Sequence, residues 1–120
     1  MIEGGCFCGK IRYTIDPGEY PIVNCHCNMC RKISGAPFVT WIVVPRESLK
    51  YLQGSPRALN SSAKGRRQFC PDCGTPLSFH ATDRLTDIDV TTCSLDDPDS
   101  YIPTRAVHEE SKLKWLHRTE

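Results

Sequence analysis

Residues 24–35 read Asn24-Cys25-His26-Cys27-Asn28-Met29-Cys30-Arg31-Lys32-Ile33-Ser34-Gly35, with cysteines in the spacing C-x-C-x-x-C. A tetrahedral zinc ion needs four ligands, and a catalytic zinc takes three from the protein and keeps one position open for water or substrate. Cys25, Cys27 and Cys30 offer that number of thiols within one short segment. The stretch therefore predicts a catalytic zinc site with these cysteines as its ligands.

Four further cysteines form a separate set of two close pairs. Cys6 and Cys8 lie near the start of the chain, and Cys70 and Cys73 follow in a C-P-x-C-G sequence that is typical of zinc knuckles. Four thiols in two close pairs make a closed, structural zinc site. The sequence thus predicts two zinc ions (Zn²⁺) per chain, one that stabilises the fold and one that faces a pocket.

The cluster at residues 25–30 also permits a second interpretation, as another structural zinc site. A distant residue such as His80, His108 or Cys93 would then complete it. His26 lies between two of the ligands, and alternate side chains of an extended segment point to opposite sides. We therefore expect His26 to pack, or to form a hydrogen bond, rather than to bind the metal. Cys93 has no partner motif and is predicted to be a small buried apolar side chain.

Length and charge narrow the functional classes. The chain has 120 residues, which predicts a single domain over residues 1–120. Its formal net charge of +1 gives no support for a nucleic-acid or membrane partner, and zinc-bound thiolates would make nucleic-acid binding less favourable still. No apolar run reaches the roughly 18 residues of a membrane span. The sequence leaves the oligomeric state open.

The start of the chain and the cysteine content indicate a compartment. No basic segment followed by an apolar run comes after Met1, so we expect no signal peptide and a cytoplasmic location. Thiols stay reduced there, and eight cysteines in a reduced compartment indicate metal binding. A disulfide framework is the disfavoured alternative, because neighbouring cysteines in a C-x-C sequence pair poorly.

The pattern of apolar residues favours short strands over helices. Nine prolines and eight glycines separate segments that predict strands over residues 11–15, 21–24, 38–44, 51–56, 75–80, 87–93 and 102–107. Residues 28–34 predict about two helical turns, with Asn28 as the N-cap and Gly35 as the stop. The expected fold is therefore mainly β, built from small sheets with little helix.

Three cysteine motifs, taken in order, resemble those of a known family. They are Gly5-Cys6-Phe7-Cys8-Gly9, then Cys25-His26-Cys27-Asn28-Met29-Cys30-Arg31-Lys32 with Ser34-Gly35-Ala36-Pro37-Phe38, and finally Phe69-Cys70-Pro71-Asp72-Cys73-Gly74-Thr75-Pro76-Leu77. Together they resemble the glutathione-dependent formaldehyde-activating enzyme family, which also includes the centromere protein V group. The resemblance covers residues 4–115.

This resemblance implies a fold, a set of ligands and a reaction. The fold is of the Mss4-like type, with small antiparallel sheets around zinc and a short helical segment after the cluster at residues 25–30. The reaction is of the carbon–sulfur lyase type on small-molecule thiol–aldehyde adducts, in which glutathione and formaldehyde give S-(hydroxymethyl)glutathione. The implied ligands are Cys6, Cys8, Cys70 and Cys73 for the structural zinc, and Cys25, Cys27 and Cys30 for the catalytic zinc.

Four cations flank the two cysteine groups, namely Arg31, Lys32, Arg66 and Arg67. Such side chains can neutralise thiolate charge or bind the carboxylate of a glutathione-like substrate. They can equally be solvated surface charges, and the sequence leaves both interpretations open.

The alternative function is a non-catalytic zinc-binding module for a protein or a nucleic acid. The fold does not decide between this module and an enzyme, because one architecture serves many functions. A binding module has no evident use for an open metal position. The cluster with only three cysteines therefore favours the lyase.

Overall fold

The computed structural model describes residues 1–116, which form a mainly β structure with a short α-helix, α1 (Asn28–Ser34). The strands are β1 (Ile2–Gly5), β2 (Arg12–Ile15), β3 (Ile22–Cys25), β4 (Val39–Pro45), β5 (Leu49–Gln53), β6 (Arg57–Asn60), β7 (Gly65–Phe69), β8 (Pro76–Ala81), β9 (Asp87–Thr91) and β10 (Arg105–Val107). Short 3-10 helices cover Arg46–Ser48, Thr92–Ser94, Pro98–Ser100 and Glu109–Ser111. The expected mainly β fold class is confirmed.

Within residues 1–116 the strands form two sheets. The smaller has the order β1-β2-β5, and the larger has the order β10-β3-β4-β9-β8-β7-β6. Neighbouring strands run antiparallel, as expected, but β10 runs parallel to β3. The parallel pair sets Val107 opposite Cys25, so β10 reaches the segment that carries the three clustered cysteines.

The two faces of the larger sheet have different neighbours. Ile42 and Val90 are cross-strand partners and share one face, which packs against Tyr13 of the smaller sheet in the main core. Trp41 lies on the opposite face, where Phe79 packs against a smaller apolar cluster. Burial of the first face supplies most of the hydrophobic stabilisation. The second face lines a cavity.

The helix has the predicted bounds but not the predicted N-cap. Cys27, not Asn28, is the N-cap, because the Cys27 sulfur accepts a hydrogen bond of 3.2 Å from the Cys30 backbone N–H. Asn28 is the first helical residue, and its side chain accepts from Arg31 instead. Gly35 ends the helix in the left-handed region, at φ 66°. Cys27, a predicted metal ligand, thus also caps the start of the helix.

Three strands, β1, β6 and β7, were not predicted from the sequence. The strand β1 ends in Gly4 and Gly5, which have no strand propensity of their own. All residues of β6 are exposed, so this edge strand carries no apolar alternation. All three depend on pairing with neighbours: β1 pairs with β2, β6 pairs with β7, and β7 pairs with both β6 and β8. Among the described residues, no helix has the length and apolar character needed to cross a bilayer.

Candidate metal centres and the adjoining cavity

The first candidate metal centre is built from Cys6, Cys8, Cys70 and Cys73. Their sulfur atoms all lie within 4.8 Å of one another. The Cys8 sulfur is 3.5 Å from that of Cys6 and 3.7 Å from that of Cys70. Tetrahedral zinc with Zn–S bonds of about 2.3 Å sets its sulfur ligands about 3.8 Å apart. The cluster therefore has the size and the donor set that fit a structural zinc ion.

Backbone N–H groups and one hydroxyl support these sulfurs. Ile11 N donates to the Cys6 sulfur at 3.3 Å, and Cys73 N donates to the Cys70 sulfur at 3.5 Å. Thr75 Oγ1 accepts from Phe7 N at 3.0 Å and lies 3.2 Å from the Cys73 sulfur. The hydrogen bonds from Thr75 lower the pKa of Cys73 to about 5. The site thus joins the start of the chain to the β7–β8 connection, and the thiolate form of Cys73 is favoured.

The second candidate metal centre contains Cys25, Cys27 and Cys30. Their sulfurs lie within 4.8 Å of one another, and those of Cys25 and Cys30 are 3.5 Å apart, which again fits zinc. The hydrogen bond shared with Cys25, with Arg67 acting in the same direction, lowers the pKa of Cys30 to about 5. Within residues 1–116, no further His, Cys, Asp or Glu joins this group, so the group offers a metal three ligand atoms.

A cavity of about 500 Å³ opens beside the second centre. The three cysteines form part of its wall, together with the apolar side chains of Val23, Trp41, Val43, Phe79 and Val107. Its charged and titratable lining consists of Arg67, Arg84, Asp87, Asp89, Arg105 and His108. A metal held by three cysteines here would have its fourth position within reach of a small molecule in the cavity.

Of the four cations that flank the cysteine groups in the sequence, Arg67 is the one whose side chain lines this cavity. It is 6% exposed, and its two terminal nitrogens lie 3.8 and 3.7 Å from the Cys30 sulfur. Its guanidinium carbon is 4.7 Å from the centre of the Phe79 ring. Arg66 is next to it on β7 and faces the other side of the sheet, because side chains alternate along a strand. Arg67 is therefore part of the site, and Arg66 is not.

The two cations of the helix have other surroundings. Arg31 donates to the backbone oxygens of His26 and Ser111 and, at 2.7 Å, to Asn28 Oδ1. It ties the helix to the segment that follows β10. Lys32 is exposed. Neither side chain lines the cavity beside the second centre.

The histidines named from the sequence occupy different positions. His26 is 1% exposed and packs on Phe38, with ring centres 5.2 Å apart, and it stands outside the cysteine group. His80 lies on β8 and does not line the cavity. His108 does line the cavity, with its backbone in the left-handed region at φ 56° and its Nδ1 3.4 Å from Glu110 Oε1.

An ion pair between Arg84 and Asp89 lies on another wall of the cavity. Arg84 donates to Asp89 Oδ1 at 2.6 Å. Burial raises the pKa of Asp89, although the Arg84 charge opposes this effect. Asp89 is the cross-strand partner of Phe79 and Val43, so its carboxylate lies on the cavity face of the sheet. The sequence analysis did not identify this pair, whose members lie five residues apart, with Arg84 in the β8–β9 connection and Asp89 on β9.

The exposure of Cys93 differs from the prediction. It was predicted to be buried, but it is exposed and follows β9 in a 3-10 helix. It lines a separate, mainly apolar cavity of about 380 Å³, next to Phe38 and Pro76. Cys93 belongs to neither cysteine group, so it does not complete the second metal centre.

Comparison with known proteins finds one matching family model and two curated relatives. The family model of the glutathione-dependent formaldehyde-activating enzyme matches residues 1–111. A Halomonas elongata protein whose name places it among these enzymes is 31% identical over 87 residues, which cover 64% of this chain and 54% of the relative. A Schizosaccharomyces pombe protein named as an uncharacterized lyase is 31% identical over 80 residues, which cover 67% and 58%. The chain spans little more than half the length of these relatives.

One solved structure has the same fold. The crystal structure of a Rhodobacter sphaeroides protein, a structural genomics target, superposes with a TM-score of 0.71. It covers 88% of this chain and all of its own, at 18% sequence identity. At this identity the likeness concerns the arrangement of strands alone.

Proposed function

Because the chain belongs to the glutathione-dependent formaldehyde-activating enzyme family, we propose that it is a zinc-dependent carbon–sulfur lyase. It would add a small thiol reversibly to formaldehyde or a similarly small aldehyde, with glutathione as the candidate thiol and S-(hydroxymethyl)glutathione as the product. The observation that carries the proposal is the group of three cysteines at the wall of a cavity of about 500 Å³. The reaction would take place in the cytoplasm, where thiols stay reduced.

The proposal assigns different tasks to the two cysteine groups within one domain of residues 1–120. Cys25, Cys27 and Cys30 would hold the catalytic zinc, and the structural zinc would be held by Cys6, Cys8, Cys70 and Cys73. A zinc ion with an open position lowers the pKa of a bound thiol or polarises a carbonyl group. Such chemistry suits the addition of a thiol to an aldehyde.

The reaction changes no oxidation state overall. In the forward direction the thiol loses its S–H proton, its sulfur forms a bond to the aldehyde carbon as the C=O double bond becomes single, and the oxygen takes up a proton. In the reverse direction the hydroxyl proton leaves, the C=O double bond forms again as the carbon–sulfur bond breaks, and the released sulfur takes up a proton. The protein must therefore exclude bulk water from the reacting carbon and move one proton. The apolar side chains of Trp41, Val43 and Phe79 on the cavity wall serve the first task.

His108 is suited to the proton transfer. It lines the cavity, and its Nδ1 is 3.4 Å from Glu110 Oε1. A carboxylate at Nδ1 orients the ring and leaves Nε2 as the atom that gives or takes the proton. The backbone of His108 at φ 56° is uncommon outside glycine, and such conformations cluster at functional sites. Arg105, exposed on the same lining, is placed to attract a substrate carboxylate.

The experiment that tests the proposal measures exchange between formaldehyde and its thiol adducts. Carbon-13 formaldehyde is mixed with glutathione, cysteine or 2-mercaptoethanol, and exchange NMR gives the rate with and without the zinc-loaded protein. We expect acceleration that saturates with at least one thiol. Absence of acceleration with every thiol would overturn the lyase and favour the non-catalytic zinc module.

Replacing His108 by asparagine is expected to lower the exchange rate constant at saturation roughly 100-fold, the lower end of general acid–base effects. Asparagine tolerates the left-handed backbone, so the fold and both zinc ions are expected to remain. The measurement is exchange NMR together with zinc per chain from native mass spectrometry.

The matched control for this variant is His80→Gln, since His80 lies outside the cavity, and its exchange rate should equal that of the wild type. An unchanged rate in His108→Asn would remove His108 from the reaction. Loss of one zinc ion from His108→Asn would instead identify His108 as a fourth ligand.

A further inference from the structure

We infer that Arg67 is the positioning residue of the second metal centre, because its guanidinium group holds the Cys30 sulfur in place and neutralises the charge that the thiolates leave on the metal. The inference rests on the part of the proposed function that assigns zinc to Cys25, Cys27 and Cys30. It adds a residue that is not a ligand but on which the retention of this metal depends.

The first argument is the cost of burying a cation. Arg67 is 6% exposed, and a buried charge is strongly destabilising unless an opposite charge or several hydrogen bonds compensate it. Its two terminal nitrogens are 3.7 and 3.8 Å from the Cys30 sulfur. A thiolate at Cys30 supplies the required negative charge, whereas a neutral thiol would not.

The second argument concerns the carboxylates of the same cavity. Asp89 is already bound to Arg84, at 2.6 Å. It is also separated from Arg67 by β8, because Phe79 on that strand pairs with Asp89 on one side and Arg67 on the other. Two inter-strand spacings amount to about 9.6 Å. No ion pair joins Arg67 to a carboxylate among the described residues, so the group in contact with it that can carry a negative charge is the Cys30 sulfur.

The third argument is the restraint on the guanidinium group. Its carbon lies 4.7 Å from the centre of the Phe79 ring, at the distance of a favourable cation–π contact. Arg67 is carried by a strand with paired neighbours on both sides, β6 and β8. The planar group is thus held by the ring and by the sheet, and it can present two N–H groups to one sulfur in a constant geometry.

The consequence concerns the charge of the centre. Three thiolates leave a divalent metal with a net negative charge, and the guanidinium group neutralises it. A substrate thiolate that enters the cavity then meets no net repulsion from the centre. Without Arg67, the metal would be held less firmly and an anionic thiol would bind less well.

The test compares Arg67→Met, which keeps apolar length but removes the charge, with Arg67→Lys, which keeps the charge but loses the planar fork. The readout is the rate at which a metallochromic chelator removes the more labile zinc from the purified protein. The second readout is the absorption spectrum after replacement of that zinc by cobalt(II), which reports the thiolate geometry directly.

We expect Arg67→Met to lose the labile metal about 10- to 100-fold faster, as is common for residues that orient ligands, and to show an altered cobalt spectrum. Arg67→Lys should be intermediate. The matched control is Arg66→Met, on the same strand but the opposite face, which should keep wild-type kinetics. Near-ultraviolet circular dichroism should show an intact fold in all variants.

The outcomes separate this inference from the proposed function. Wild-type chelation kinetics and cobalt spectrum in Arg67→Met would overturn the inference alone. A wild-type protein that holds a single zinc ion would overturn both. If Arg67→Met does not fold, Arg67→Lys decides, because a lysine that retains the metal as firmly as arginine would show that the two-nitrogen contact with Cys30 has no role.

Discussion

Cys70→Ser is expected to unfold the chain. Cys70 is fully buried and belongs to the group that joins the start of the chain to the β7–β8 connection. Structural zinc contributes about 10–16 kcal/mol in small zinc-binding peptides, whereas an entire domain is stable by about 5–15 kcal/mol. Loss of one thiolate from a closed site removes enough of this energy to exceed the stability of the domain. The measurement is near-ultraviolet circular dichroism at 25 °C with zinc per chain.

The matched control is Cys93→Ser. Cys93 is exposed and lies outside both cysteine groups, so the change should alter the free energy of unfolding by less than about 0.5 kcal/mol. A Cys70→Ser protein that unfolds cooperatively at the wild-type temperature would show that this group does not stabilise the fold. Removal of all metal by a strong chelator should reproduce the effect of Cys70→Ser.

Cys27→Ser is expected to leave the fold intact but to abolish most activity. Serine is among the best N-cap residues, so the change keeps a hydrogen-bond acceptor for the start of α1, where the Cys27 sulfur now accepts from Cys30 N at 3.2 Å. It removes one of three thiolates from the centre at the cavity. A catalytic metal supplies several kcal/mol of charge stabilisation, so we expect a fall of at least about 100-fold in the exchange rate.

The measurements for Cys27→Ser are exchange NMR, zinc per chain and thermal unfolding. We expect one zinc ion instead of two and an unfolding temperature close to that of the wild type. Full zinc content with full activity would contradict the assignment of Cys27 as a ligand. The comparison with Cys70→Ser is informative because one cysteine is lost in each variant, yet the predicted losses differ: stability for Cys70 and activity for Cys27.

Local features of the chain were predictable because their causes are local. The helix over Asn28–Ser34 ends at Gly35, and this end was predictable because glycine readily adopts the left-handed conformation found there. Residue spacing also brings the sulfurs of each close cysteine pair together. The N-cap was assigned one residue too late, because sulfur is a rare capping group and the sequence offered Asn28 as the conventional one.

The sequence analysis missed two features that depend on how strands pair and where the chain turns. The edge strand β6 has no apolar face and exists through its pairing with β7. Cys93 was expected in the interior because it ends a strand with alternating apolar residues, but the chain turns into a 3-10 helix after Thr91 and exposes it. In the first case the strand needs a neighbour, and in the second a turn changes the direction of the chain, and the pattern of apolar residues specifies neither.

The sequence by itself determined the mainly β fold, the helix and the division of the cysteines into two groups. These depend on spacing, on the chemistry of the thiol and on the conformations of glycine and proline. The tertiary structure decided which of the two adjacent arginines lies against Cys30, and it placed His108 and the Arg84–Asp89 pair around the cavity. The physical reason is that strand register assigns each side chain to a face, and register is set by pairing across the whole sheet.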